Sequence, residues 1–345
     1  SSDVCSSDLN QGEKFMKTFT NKARHLGLAA SAGLALSFAA GSAQASDCGE
    51  VSITEMDWGS AIIVTQVAKF LLEQGYGCTV QIVPSASTPA LASVSETGEP
   101  DIITEVWTNS APAYIPLKED GKIKELTEVL SDGGVEGLFI PEYLAEAHPE
   151  LTTIAGVLAN PDLVGNRMHN CPVGWTCQVV GSQMAVAGGF ETAGIEDFVH
   201  GSGETLAASI GSAYSSQEPW FGYYWSPSTV LGKYPMVQVE LGPHDPSVHS
   251  CNADKECPNP TLQSWPSSVV TTVVTDTFEA SHPAETDLMR NLSFSNKMMN
   301  GLLGWQDANQ ATGEEAAVYF LSSQSDVWGT WINDSARENL AALLQ

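Results

Sequence analysis

The chain has 345 residues, of which 41 are acidic and 14 basic, giving a net charge of −27. A surface this acidic repels polyanions, so nucleic acid is not an expected partner. The length allows two domains.

Residues 1–15 precede Met16 and read as an upstream segment outside the folded protein. From Met16 the chain shows a basic start (Lys17, Lys22, Arg24), an apolar run from Leu26 to Ala40, and the small-residue site Ala43-Gln44-Ala45. This is the pattern of a secretory signal peptide over 16–45, too short and too rich in Ala and Gly for a membrane span. The expectation is a soluble, exported, periplasmic protein beginning near Ser46. That part carries 14 − 4 = 10 basic and 41 − 3 = 38 acidic residues, net −28. The charge keeps the protein soluble, and it also suits a site for cationic or zwitterionic solutes.

VSITEMDW (51–58) reads as a strand ending at a tryptophan. The helix that follows, over 61–75, places Ile63, Val67, Phe70 and Leu71 on one face and stops at Gly75. CTVQIV (78–83) is a β-rich run closed by Pro84, a short helix covers 89–97, and GEPDIITEVW (98–107) is a turn and a buried strand. This β-α-β-α-β order predicts an α/β fold with a largely parallel sheet. A second unit opens near EGLFIPEYLAE (136–146). It holds NCPVGWTCQ (170–178), a helix from Gln178 to about Gly188, the loop HGSGE (200–204) with Ser202 as a helix cap, and the strand-like WFGYYW (220–225). VQVELG (237–242) and a polar loop, 243–260, follow. SVVTTVVTDTF (268–278) is a β-branched run expected to return to the first domain, before a helical tail. The division is therefore one lobe of 46–138 plus 267–345 and a second of 139–266.

Six cysteines follow Ser46: Cys48, Cys78, Cys171, Cys177, Cys251 and Cys257. An even number in an exported chain reads as disulfides, with fifteen connectivities open. The two C-x5-C pairs are the cheapest local closures, which leaves Cys48 with Cys78. Zinc is disfavoured because no C-x2-C spacing and no ligand-spaced histidine occurs. Asp245 and Asp254 in the polar loop are candidate calcium ligands, but the loop lacks the D-x-D-x-D-G spacing and reads better as a solvated loop. No signature of a hydrolase, metalloprotease, P-loop or dinucleotide enzyme is present. The chain is expected to be neither an enzyme nor a cofactor protein.

Nine tryptophans are the informative feature. Trp305, Trp328 and Trp331 lie in helical segments and read as packing, and Trp220 and Trp265 are undecided. Trp58, Trp107, Trp175 and Trp225 instead end strands or sit in strands and loops of the two units. Ligands of open α/β sheets bind at carboxyl ends of strands, and indoles converging there form a cage for quaternary ammonium. For each one alone, core packing is the competing reading.

EMDWGSA, EPDIITEVWTNSAPAY, NCPVGWTCQ and WFGYYWSPSTVLGKY, in this order, resemble the periplasmic glycine betaine-binding proteins of ABC importers, a family that includes choline-, carnitine- and trimethylamine N-oxide-binding members. The resemblance spans 49–345. It implies a two-lobed type II periplasmic solute-binding fold with the ligand in the interdomain cleft, an inner-membrane permease as partner, and a monomer. It also implies that Trp107, Trp175 and Trp225 match cage positions and Trp58 a fourth found in some members. A Cys171–Cys177 bridge would hold Trp175 rigid and lower the ordering cost of binding. The backbone N–H groups of Thr176 and Cys177, opening a helix, would offer an anion site.

Related betaine binders carry a histidine shortly after the first-lobe tryptophan, whereas TNSA (108–111) has none. Glu105 shares a strand face with Trp107. It would repel a ligand carboxylate and accept a hydrogen bond from a hydroxyl or a protonated N-oxide; the competing reading turns it to a neighbouring backbone or an ion pair. Asp57 reads as a strand-end or helix-cap residue, with a ligand contact as the alternative. Trimethylamine N-oxide is the favoured ligand and glycine betaine the next, with choline or carnitine, a sensory protein of the same fold, and an exported enzyme acting on a methylated amine as rivals.

Overall fold

The computed structural model describes residues 48–341; the signal-peptide reading lies outside them. Two five-stranded sheets organise the chain. The first has the order β2-β1-β3-β10-β4, from β1 (Gly49–Glu55), β2 (Cys78–Pro84), β3 (Ile102–Trp107), β4 (Ile123–Glu128) and β10 (Val270–Thr275). The second has the order β7-β6-β8-β5-β9, from β5 (Val135–Pro141), β6 (Arg167–Asn170), β7 (Glu196–Val199), β8 (Gly222–Ser226) and β9 (Met236–Gln238). This is the two-lobed α/β architecture expected. The longer helices are α1 (Gly59–Tyr76), α2 (Ser87–Thr97), α3 (Thr176–Ala187), α4 (Gly203–Ser216), α5 (Pro246–Asn252), α6 (Pro283–Asn291), α7 (Asn296–Asn309) and α8 (Gly313–Ser323).

α1 forms because Ile63, Val64, Val67, Ala68, Leu71 and Leu72 repeat at helical spacing, and all are buried. Gly77 ends it in the left-handed region, φ 76°, donating its N–H to Leu72 O. The helix spans the crossover between the parallel strands β1 and β2, and Cys48, just before β1, is stapled to Cys78, the first residue of β2. Both ends of β1 and β3 therefore point Trp58 and Trp107 to the same edge of the sheet. β10 runs antiparallel to β3 and β4 because it arrives from the other lobe. The β-branched run expected as one strand stops at Thr275, whose side chain caps a short helix over Asp276–Ser281.

The chain passes to the second sheet between Glu128 and Val135 and returns between Gln238 and Val270. The expected boundary at 138 falls inside β5. The two crossings lie side by side: Gly134 N donates to Ser268 O at 2.7 Å and Ser268 N to Gly134 O at 2.8 Å. A Cβ on Gly134 would stand 2.2 Å from the Trp107 ring, so glycine there lets the indole lie against the crossing. Among the described residues no helix is long and apolar enough to cross a membrane.

The other two disulfides pair Cys171 with Cys177 and Cys251 with Cys257. Ser202 caps α4 in a reciprocal box with Thr205. Asp245 caps α5 through Ser247, and Asp254 accepts the amide of Glu256, so both carboxylates close local turns.

Candidate functional site

Four indoles meet between the lobes. Trp58 is the residue before α1, Trp107 closes β3, Trp175 precedes α3, and Trp225 lies in β8. Each is under a tenth exposed. The Trp58 and Trp175 centroids are 5.1 Å apart at 65°, and Trp175 and Trp225 are 5.1 Å apart at 76°. In both pairs the rings stand edge to face rather than stacked. With Ser87, Glu136, Thr176, Cys177 and Tyr223 they line one small cavity. Trp328 and Trp331 are core residues, and Trp305 stacks on Tyr319 at 4.2 Å.

The loop carrying Trp175 is braced from both sides. The Asn170 side chain accepts the Cys171 amide (2.7 Å) and donates to Asp197 (2.9 Å), while the disulfide ties Cys171 to Cys177 inside α3. Gly174 adopts φ +90°, where a side chain is strained. Its carbonyl accepts the Thr88 amide of the first lobe at 3.2 Å. Asp57, also of the first lobe, accepts the Trp175 indole N–H at 2.7 Å. These two bonds join the lobes around one residue. The amides of Thr176 and Cys177 have no hydrogen-bond partner among the described residues, as befits a helix start.

Three carboxylates surround the indoles, and they differ. Asp57 is the interlobe acceptor just described; burial raises its pKa against the Trp175 bond. Glu105 does not line the cavity. Its carboxylate lies behind the first-lobe indoles, accepting Trp58 Nε1–H at 2.5 Å and Ser60 Oγ–H at 3.0 Å. The reason is a bulge: the β3–β10 register jumps between Thr271 and Val273, and Glu105 sits in the left-handed region at φ 50°. Two-residue alternation from Trp107 fails across such a bulge. Burial raises the Glu105 pKa to about 7, opposed by the bonds from Trp58 and Ser60 and by the nearby Trp107 indole N–H.

Glu136 is the residue that the sequence reading missed. It lies in β5 directly across from Trp225, is 2% exposed, and lines the cavity. Its two oxygens accept Tyr223 Oη–H at 2.8 Å and Ser268 Oγ–H at 2.5 Å. Burial raises its pKa against those bonds. The available signal was an acidic residue opening the apolar strand EGLFIP, at the junction of the lobes. Among the described residues, none of the three carboxylates is in an ion pair. A cavity lined by four indoles and by one buried carboxyl, Glu136, with no ion-pair partner among the described residues, is suited to a small cation or to the positive end of a dipole.

Residues 49–323 match the family model described as the substrate binding domain of ABC-type glycine betaine transport system. The fold is similar to the glycine/betaine/L-proline-binding protein ProX from Borrelia burgdorferi, at TM-score 0.69 and 19% identity, covering 84% of this chain and 99% of that one. It is likewise similar to an ABC-transporter choline binding protein in complex with choline (TM-score 0.69, 20% identity, 86% and 98% covered). Lactococcal OpuAC in its closed-liganded conformation with glycine betaine matches at TM-score 0.64 and 17% identity, with 83% and 100% covered.

Proposed function

The chain belongs to the family of substrate-binding domains of ABC-type glycine betaine transport systems, and from that premise we propose that it is a periplasmic, monomeric receptor for a small trimethylammonium osmolyte. Trimethylamine N-oxide is the favoured solute and glycine betaine the next. The protein performs no chemistry on it and delivers it to the membrane permease. The observation that carries this reading is the convergence of four indoles and Glu136 on one cavity.

The trimethylammonium head would lie against the indole faces, where a desolvated cation–π contact is worth ~2 kcal/mol. Burial favours the protonated form of Glu136. A protonated Glu136 donates its O–H to an N-oxide oxygen, a role that the sequence reading assigned to Glu105 as acceptor. The Thr176 and Cys177 amides supply two further donors for the negative end. Choline is the alternative favoured by a specific observation: acids without counter-charges suit a net cation, and an ionised Glu136 accepts its hydroxyl.

The Asp57–Trp175 and Thr88–Gly174 bonds exist only when the lobes meet. A solute that binds the closed state better than the open one shifts the equilibrium towards it. Isothermal titration calorimetry with trimethylamine N-oxide, glycine betaine, choline and carnitine in one buffer tests the proposal. Micromolar or tighter binding of the N-oxide with weak betaine binding supports it. The reverse order transfers the site to betaine, and no heat with any of the four refutes the cage.

A further inference from the structure

Glu105 is a costly group to bury in the first lobe. Its side chain is completely buried, its backbone occupies the left-handed region at φ 50°, and its Oε1 has no hydrogen-bond partner among the described residues. Such a residue weakens a fold unless something depends on it. Its other oxygen is engaged, at 2.5 Å from the indole nitrogen of Trp58 and 3.0 Å from Ser60 Oγ. Among the described residues no lysine, arginine or histidine pairs with it. The polar groups that face it are the Ser60 hydroxyl from α1 and the indole N–H groups of Trp58 and Trp107. The other titratable groups at the cage are Asp57, Glu136 and Tyr223.

We infer that Glu105 is a positioning residue of the cage: its carboxylate fixes the Trp58 ring through the indole N–H and sets a negative charge behind it that the solute's cationic head neutralises. A carboxylate at the N–H edge feeds electron density into the indole and deepens the attraction of its face for a cation. The bulge is what places the charge behind the ring rather than in the cavity, where it would bind the solute directly. Ligand binding then stabilises ionised Glu105, and a cation binds more weakly once Glu105 is protonated. Burial already holds its pKa up at about 7, so this coupling falls in the neutral range.

The first arm of the test needs no ligand and is independent of the proposed function. The indole N–H resonance of Trp58, assigned by its loss in Trp58→Phe, is followed in ligand-free protein from about pH 5.5 to about pH 8.5. It should titrate in the wild type and stay flat in Glu105→Gln, which retains an oxygen to accept the indole bond. A flat wild-type resonance, or the same titration in Glu105→Gln, overturns the inference. The second arm, which rests on the receptor reading, uses tetramethylammonium, a cation with no oxygen for Glu136 to bind. Its Kd should tighten by about tenfold from the acid to the alkaline end in the wild type. Glu136→Gln should keep that slope and Glu105→Gln lose it; a slope that follows Glu136 instead overturns the ligand coupling. Failure of tetramethylammonium to bind at all, with the indole still titrating, counts against the receptor reading and leaves the hold of Glu105 on Trp58 established.

Discussion

Glu105→Gln should stabilise the ligand-free protein, and by an amount that depends on pH. Burial raises the carboxyl from 4.5 to about 7, so the folded state holds a proton that the unfolded chain has lost. Stability is therefore complete below the unfolded value and falls as pH rises from 4.5 through 7. A shift of this size is worth about 3 kcal/mol when fully expressed, at 1.36 kcal/mol per unit. Glutamine titrates nowhere in this range. Its amide NH2 occupies the site of the unpartnered oxygen and costs about 1 kcal/mol, equally at every pH. Urea denaturation of wild type and variant at about pH 5 and about pH 8 isolates the effect. The variant should gain on the wild type by up to about 3 kcal/mol between those two conditions. Glu136 and Asp57 titrate in both proteins and cancel in the comparison. Parallel stability profiles for the two proteins would refute the account of Glu105 as a buried charge without compensation.

Trp175→Ala and Trp225→Ala should each weaken solute binding by about 30-fold or more, as one desolvated cation–π contact implies, with calorimetry as the check. Replacing Cys171 and Cys177 by serine removes a closure of seven residues, worth about 2 kcal/mol in the chain-entropy account; the denaturation midpoint should fall and solute binding weaken, because Trp175 loses its brace. Asp57→Ala removes the acceptor for the Trp175 indole across the cleft and should weaken binding, while Asp57→Asn, which retains an acceptor oxygen, recovers much of the loss; equal binding by wild type and the alanine variant would show that the bond does not report closure. His169 stacks on Trp220 and bonds His200 at 2.9 Å, and burial, then His200 and Arg167, lowers its pKa to about 3. Its contribution to stability is present above 6.5 and is lost as pH falls from there towards 3, so His169→Gln should lose less stability than wild type between about pH 6.5 and about pH 5 on denaturant titration.

Local chemistry made much of this molecule legible. The periodicity of 61–75 marked α1, β-branched runs marked β2 and β10, and Ser202 marked the start of α4, because each depends on neighbours within a few residues. The short C-x5-C spacings pointed to the disulfides by closure cost alone. The tryptophans that end or interrupt strands pointed to the candidate site, because strand ends of such sheets converge on a cleft. Glu105 and Glu136 could not be sorted in this way. The position of Glu105 turns on a bulge set by pairing with Thr271 and Val273, more than 160 residues further along the chain, and Glu136 reaches the cavity because β5 pairs with β8 and puts it opposite Trp225. The sequence by itself determined which residue types and helices were available to build a cation site. Only the tertiary structure decided which carboxylate faces the cavity and which stands behind the indoles, because long-range strand register, and not residue type, sets the side to which each one turns.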